Sequence, residues 1–204
     1  MKVALFSVAR PAVSITRVSS LARHVSRSGC FAFGFRFRRI GQKLPFVGNR
    51  QIGGAQFLGL CQIGLAAHFA LAACRRGERV LYFAFEESAS QIMRNMGSIG
   101  IDLAPWVQRD LLRIHAARPT LSGLEMHLAT MLKEIARFDP QVVVVDPLNS
   151  FVTVGNEDDV KLMLLRLADT LKLRQITGLF ISLTSGGDAM EQTDISISSL
   201  IDTW

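Results

Sequence analysis

The chain has 204 residues, 49% of them hydrophobic and 20% charged, enough for one globular domain with a sizeable core. Its three cysteines, Cys30, Cys61 and Cys74, form no Cys-x-x-Cys pair, and its four histidines show no metal-ligand spacing, which sets aside a disulfide framework and a zinc site. The net charge of +6 averages two unlike parts: residues 1–77 carry 12 Lys and Arg and no acid, whereas residues 78–204 carry 11 basic and all 17 acidic residues, a net of −6. The basic excess thus sits where no structural pattern is evident, and nucleic acid is not an expected partner.

Taken in chain order, residues 1–64 read as a basic segment without a recognisable domain. Their first 40 residues are rich in Arg and Ser and free of acids, a pattern shared with mitochondrial transit peptides. Phe31–Arg39 alternates Phe with Arg, as an edge strand or a phosphate-binding ribbon would. Phe57–Cys74 is nearly all apolar and stops at Arg75-Arg76, as a short membrane span does. Gln62 and His68 inside it, and the strand that follows, favour instead a helix buried against a sheet. The isolated cysteines fit a reduced compartment, so the expected location is the cytoplasm.

From Leu65 the pattern alternates helix and strand. Ala-rich Leu65–Arg75 predicts a buried helix ended by Gly77. Val80–Phe85 predicts a buried strand, and Ser88–Ser98 a helix stopped near Gly97 and Gly100. Leu111–His115 predicts a short strand. Ser122 is placed to cap a helix running to Phe138, with Leu124, Leu128, Met131, Leu132 and Ile135 on one face. Val142–Val145 is apolar throughout, as strands inside parallel sheets are. A helix over Asp158–Arg174 and a strand over Gly178–Leu183 follow. Such repeats predict an α/β fold: a parallel sheet covered on both faces by helices.

Two strand ends carry the chemistry. Asp146 follows four valines, and open α/β sheets bind ligands at the carboxyl ends of their strands. An Asp there holds Mg²⁺ in P-loop enzymes, directly or through water; it equally caps the next turn. Glu86 and Glu87 end another strand. Adjacent carboxylates can polarise a water for attack on a γ-phosphate, and Glu87 equally suits the start of a helix.

Together these segments resemble the KaiC family, a branch of the RecA-like P-loop ATPases. The resemblance runs from Leu65 to Trp204 through Leu65-Ala-Ala-His-Phe-Ala70, Gly77-Glu-Arg-Val-Leu-Tyr-Phe-Ala-Phe-Glu-Glu-Ser88, Gly123-Leu-Glu-Met-His-Leu128, Val142–Pro147, Gln175-Ile-Thr-Gly178 and Thr193–Thr203. It implies a RecA-like P-loop NTPase core that is incomplete here, with residues 65–204 as a truncated KaiC-like domain. Glu86 and Glu87 match the catalytic glutamates. Asp146 matches the Walker B aspartate that holds Mg²⁺ through the nucleotide. Ser198 and Ser199 match the phosphoacceptor pair, with Thr193 and Asp194 upstream. The family hydrolyses ATP and autophosphorylates as a serine/threonine kinase, so Mg-ATP is the cofactor implied. The partners implied are copies of the chain itself (a hexamer in the family), intact KaiC-like relatives, or signalling proteins; a membrane is not.

This chain departs from the family where phosphate should bind. Counted back from Leu65, the Walker A Gly-Lys-Thr/Ser falls on Cys61, Gln62 and Ile63, and only Gly59 matches a loop glycine. Gln62 replaces the Lys that grips phosphates, and Ile63 the hydroxyl that binds Mg²⁺. The chain also ends before the family's last strands, which bring basic residues to a neighbour's phosphates. The expectation is an ATPase domain impaired in catalysis, or a non-catalytic assembly or signalling partner of intact relatives. An off-frame translation of residues 1–64 accounts for their composition: CAA-ATC, one coding of Gln62-Ile63, reads Lys-Ser one frame on. Disorder of that segment is the other reading.

Overall fold

Runs of β-branched and aromatic residues punctuated by glycine set the strands. A computed structural model describes residues 2–6 and 54–182. In it β1 spans Lys2–Phe6, β2 Val80–Ala84, β3 Leu112–Ala116, β4 Val142–Asp146 and β5 Thr177–Ser182. They form one sheet in the order β1-β5-β4-β2-β3. The last four are mutually parallel, and β1 closes the far side antiparallel to β5, from Lys2 opposite Ser182 to Phe6 opposite Gly178. The parallel strands fall within a residue or two of the stretches the sequence predicts.

Helices α1 (Gly54–Arg75), α2 (Ala89–Ser98), α3 (Ala104–Gln108), α4 (Leu124–Phe138) and α5 (Glu157–Leu173) connect them, with 3₁₀ turns at Pro119–Leu121 and Leu148–Thr153. Strand residues alternate between faces. Leu81, Phe83, Phe85, Val143, Val145 and Phe180 share a core with the inner faces of α4 and α5. The opposite face carries Val80, Tyr82, Ala84, Val142, Val144 and Asp146, and α1 packs across β2, β4 and β5 on that side. Small side chains at Ala66, Ala67, Ala70 and Ala73, all fully buried, let α1 come close. The four valines of β4 are 0–2% exposed. Burying each stabilises the sheet by about 1.5–3 kcal/mol.

Gly77 ends α1 as expected. Its φ is +81°, and Glu78 N–H donates to the Ala73 carbonyl while Gly77 N–H donates to Cys74, the paired bonds of a Schellman ending. Ser88 caps α2 reciprocally with Gln91. The expected Ser122 cap of α4 does not form. Ser122 N–H closes the Pro119–Leu121 turn on the Pro119 carbonyl, and the helix starts one residue later, from an extended Gly123 without a side-chain cap.

Helix α1 crosses the boundary drawn at residue 64. It has no acidic residue in its first turn, and its only basic residue in the last turn is Arg75. Without a polar stripe, its first ten residues give no periodicity to read. The Phe31–Arg39 alternation and the Thr193–Thr203 segment lie outside the described residues. Among the described residues no helix is long and apolar enough to cross a membrane.

Candidate functional site

The carboxyl ends of β2 and β4 bring the predicted carboxylates to one place. Ala84 pairs with Asp146 in register, and Phe85 N–H donates to the Asp146 carbonyl at 2.9 Å. β2 therefore follows β4 to its last residue and delivers Glu86 and Glu87 just beyond it. Asp146 is 5% exposed, Glu87 is half-buried and Glu86 is exposed.

Each carboxylate has a defined neighbour. The Tyr82 hydroxyl donates to Asp146 Oδ2 at 2.5 Å, within the buried sheet face. Burial first, and then the charge of Asp146, push the Tyr82 phenol well above its ordinary value. It therefore keeps its proton at neutral pH and acts as the donor. The Ser150 hydroxyl, on the turn after β4, donates to Glu86 Oε1 at 3.1 Å. Asn95 of α2 donates through Nδ2 to Glu87 Oε2 at 3.2 Å. The Ser182 hydroxyl at the end of β5 donates to Asn149 Oδ1 at 3.0 Å, which ties the neighbouring turn to the sheet.

Tyr82, Ser150 and Asn95 were not singled out in the sequence. Tyr82 had a signal of a kind: it is the only residue of Val80–Ala84 with a polar tip, and a buried phenol needs a partner. Identifying that partner as Asp146 requires the strand order.

Gly59, Cys61, Gln62 and Ile63 all lie within α1. Beyond the first turn of an α-helix each N–H bonds the carbonyl four residues back. The amides of residues 59–63 are spent in that ladder, whereas a phosphate-binding loop aims its amides at the ligand. Ser198, Ser199, Thr193 and Asp194 lie outside the described residues. Among the described residues no group of three His, Cys, Asp or Glu side chains could hold a metal ion.

A cavity of about 220 Å³ opens near the ends of β2 and β3, lined by Phe85, His115, Arg118, Leu121, His127 and Met131 among others. None of its lining residues is Glu86, Glu87 or Asp146. Phe85 and Met131 belong to the core shared with α4, so the cavity lies on the face opposite Asp146. His127, 6% exposed, meets the Pro119 carbonyl through Nε2 at 2.9 Å and packs edge-on to Phe85 and Phe151. Those contacts make it part of the core.

The family model described as "ATPase: KaiC" matches residues 63–199. The chain is 48% identical over 142 residues to the circadian clock protein KaiC2 of Synechocystis sp. (strain ATCC 27184 / PCC 6803 / Kazusa), covering 69% of this chain and 25% of that protein. It is 36% identical over 142 residues to the circadian clock oscillator protein KaiC of Thermosynechococcus vestitus, covering 68% and 27%. Against the KaiC of Synechococcus elongatus it is 34% identical over 143 residues, again covering 68% and 27%. The chain thus spans about a quarter of the length of these relatives. A mostly parallel sheet with helices on both faces, and a family match covering most of the chain, lead to one conclusion: the chain belongs to the KaiC ATPase family.

Proposed function

We propose that this chain is a KaiC-like ATPase domain by descent whose nucleotide turnover is lost. The observation that carries this reading is the continuous helix through Gly59–Ile63. Residues that would cradle β- and γ-phosphates have their amides bonded within α1, and Gln62 and Ile63 supply neither the cation nor the hydroxyl. The residues present therefore do not fit Mg-ATP. Phosphoryl transfer is mostly positioning and charge stabilisation, so Glu86 and Glu87 at the sheet's carboxyl end have little to act on without that cradle. In an intact site Glu87 would orient the attacking water and Asp146 would face the metal. Here their place is kept and the phosphate half is not.

With turnover set aside, the role left to the domain is assembly with copies of itself or with intact family members. The test is ATP hydrolysis by the purified chain with Mg²⁺. Turnover should equal background, and Glu87→Gln should leave it unchanged. Hydrolysis above background that Asp146→Asn abolishes would defeat the reading and require an unconventional phosphate loop.

A further inference from the structure

We infer that the cavity between α4 and the ends of β2 and β3 is a binding site for a small aromatic hydroxy acid, its carboxylate held by Arg118 and its hydroxyl donating to His127. The site is separate from the strand-end carboxylates, none of which lines it, and it does not depend on nucleotide turnover.

His127 supplies the inner end. Its Nε2 meets the Pro119 carbonyl, which only accepts, so the proton is assigned to Nε2 and Nδ1 of the neutral ring is an acceptor. The contacts with Phe85 and Phe151 hold the ring without using Nδ1, and Nδ1 makes no hydrogen bond. Yet among the described residues no buried side-chain nitrogen or oxygen lacks a partner. Nδ1 is therefore not sealed in, although the residue is only 6% exposed. It reaches open space, and the cavity is the open space that this ring borders.

The other polar walls are also uncommitted. The Arg118 guanidinium has neither an ion pair nor a hydrogen bond, and no Asp or Glu lines the cavity to satisfy it. The hydroxyls of Ser122 and Thr130 make no hydrogen bond within the protein. Around them Phe85, Leu121 and Met131 are apolar. A few convergent polar groups set in apolar walls are what a small-molecule site presents.

These walls define the ligand. An unpaired guanidinium selects an anion, and its planar fork suits a carboxylate. The rings of Phe85 and His127 favour a flat aromatic body. An acceptor at Nδ1 asks for a donor, which a ring hydroxyl supplies. The volume of about 220 Å³ lies below the roughly 300–1,000 Å³ of sites for drug-sized ligands, so it suits a single ring with small substituents.

The test is titration of the full chain, labelled with [¹⁵N]histidine, with 3- and 4-hydroxybenzoate; the separation of Arg118 from His127 decides between the two isomers. One of them should move an Nδ1 resonance that His127→Phe removes, saturating with a Kd on the order of 1 mM, as expected of so few atoms. Benzoate, without the hydroxyl, and phenol, without the carboxylate, should each bind several-fold more weakly. Arg118→Ala, at an exposed position, should weaken binding several-fold as well. No saturable shift with either isomer would overturn the inference. So would unchanged affinity in Arg118→Ala, or benzoate binding as tightly as its hydroxylated form. If His127→Phe does not fold, the ligand series and Arg118→Ala still decide. None of these readouts involves ATP, so hydrolysis by the chain would defeat the proposed function without touching them.

Discussion

Cys74 shows what burial does to one titratable group in this fold. It is 1% exposed near the end of α1, and its thiol lies 3.5 Å from the Leu111 carbonyl. Burial, the largest cause, pushes the thiol up to about 11 from an ordinary 9.0. A raised thiol value favours the neutral form in the fold. The stability it lends is full below pH about 9 and is lost as pH rises through about 11. The thiolate is the nucleophile. In a Cys30→Ser, Cys61→Ser background, alkylation of Cys74 by iodoacetamide at pH 8 should run about a hundred-fold slower folded than in urea, from the thiolate fraction alone. Equal rates would mean that α1 does not seal this position. The composition already pointed to an unpaired cysteine, but its burial depends on how closely α1 sits on the sheet.

Helix endings are the most legible elements, and also where the chain departs from the easy choice. Gly77 and Gly100 take positive φ at the ends of α1 and α2, as glycine does at low cost. α3 and α5 make the same kind of turn with Asp110 at φ 53° and Gln175 at φ 58°. Left-handed backbone costs a residue with a side chain on the order of 1–3 kcal/mol, while glycine loses part of that gain through its freer unfolded chain. Gln175→Gly should therefore raise stability by about 0.5–1 kcal/mol, read as a higher urea midpoint at unchanged slope. A lowered midpoint would show that the Gln175 side chain supplies a contact worth more than its strain. Gly178 in β5 carries the opposite constraint. A Cβ there would come within 2.9 Å of the Phe180 ring and 3.0 Å of Leu171 Cδ1, both side chains being 1% exposed. Gly178→Ala should cost about 1–3 kcal/mol by overpacking α5 against the sheet. A neutral result would mean that Leu171 can swing aside.

For the whole molecule, the sequence was readable wherever one physical signal dominated. Val142–Val145 has the unbroken apolar, β-branched run of a strand buried in a parallel sheet, and the strand–helix alternation after Leu65 implies that sheet. Glu86, Glu87 and Asp146 stand at the carboxyl end of that sheet because parallel strands end together. Three things could not be read. The early turns of α1 are largely apolar, and Gln56 and Gln62 stand too far apart to mark a polar stripe, so they carry no period. The helix takes Gly123 rather than Ser122 as its N-cap, after the Pro119–Leu121 turn that Ser122 N–H closes, a one-residue choice that a capping preference alone does not decide. The Tyr82–Asp146 bond joins residues 64 apart and exists only once β2 and β4 are neighbours. The same distinction bears on function. Membership of the KaiC ATPase family is written in the strands, whereas the proposed loss of turnover rests on α1 running through the place of the phosphate loop. Calorimetric titration of the purified chain with ATP and Mg²⁺ tests that claim most directly. The account predicts no saturable heat beyond dilution; a saturable one-site isotherm that Asp146→Asn removes would contradict it.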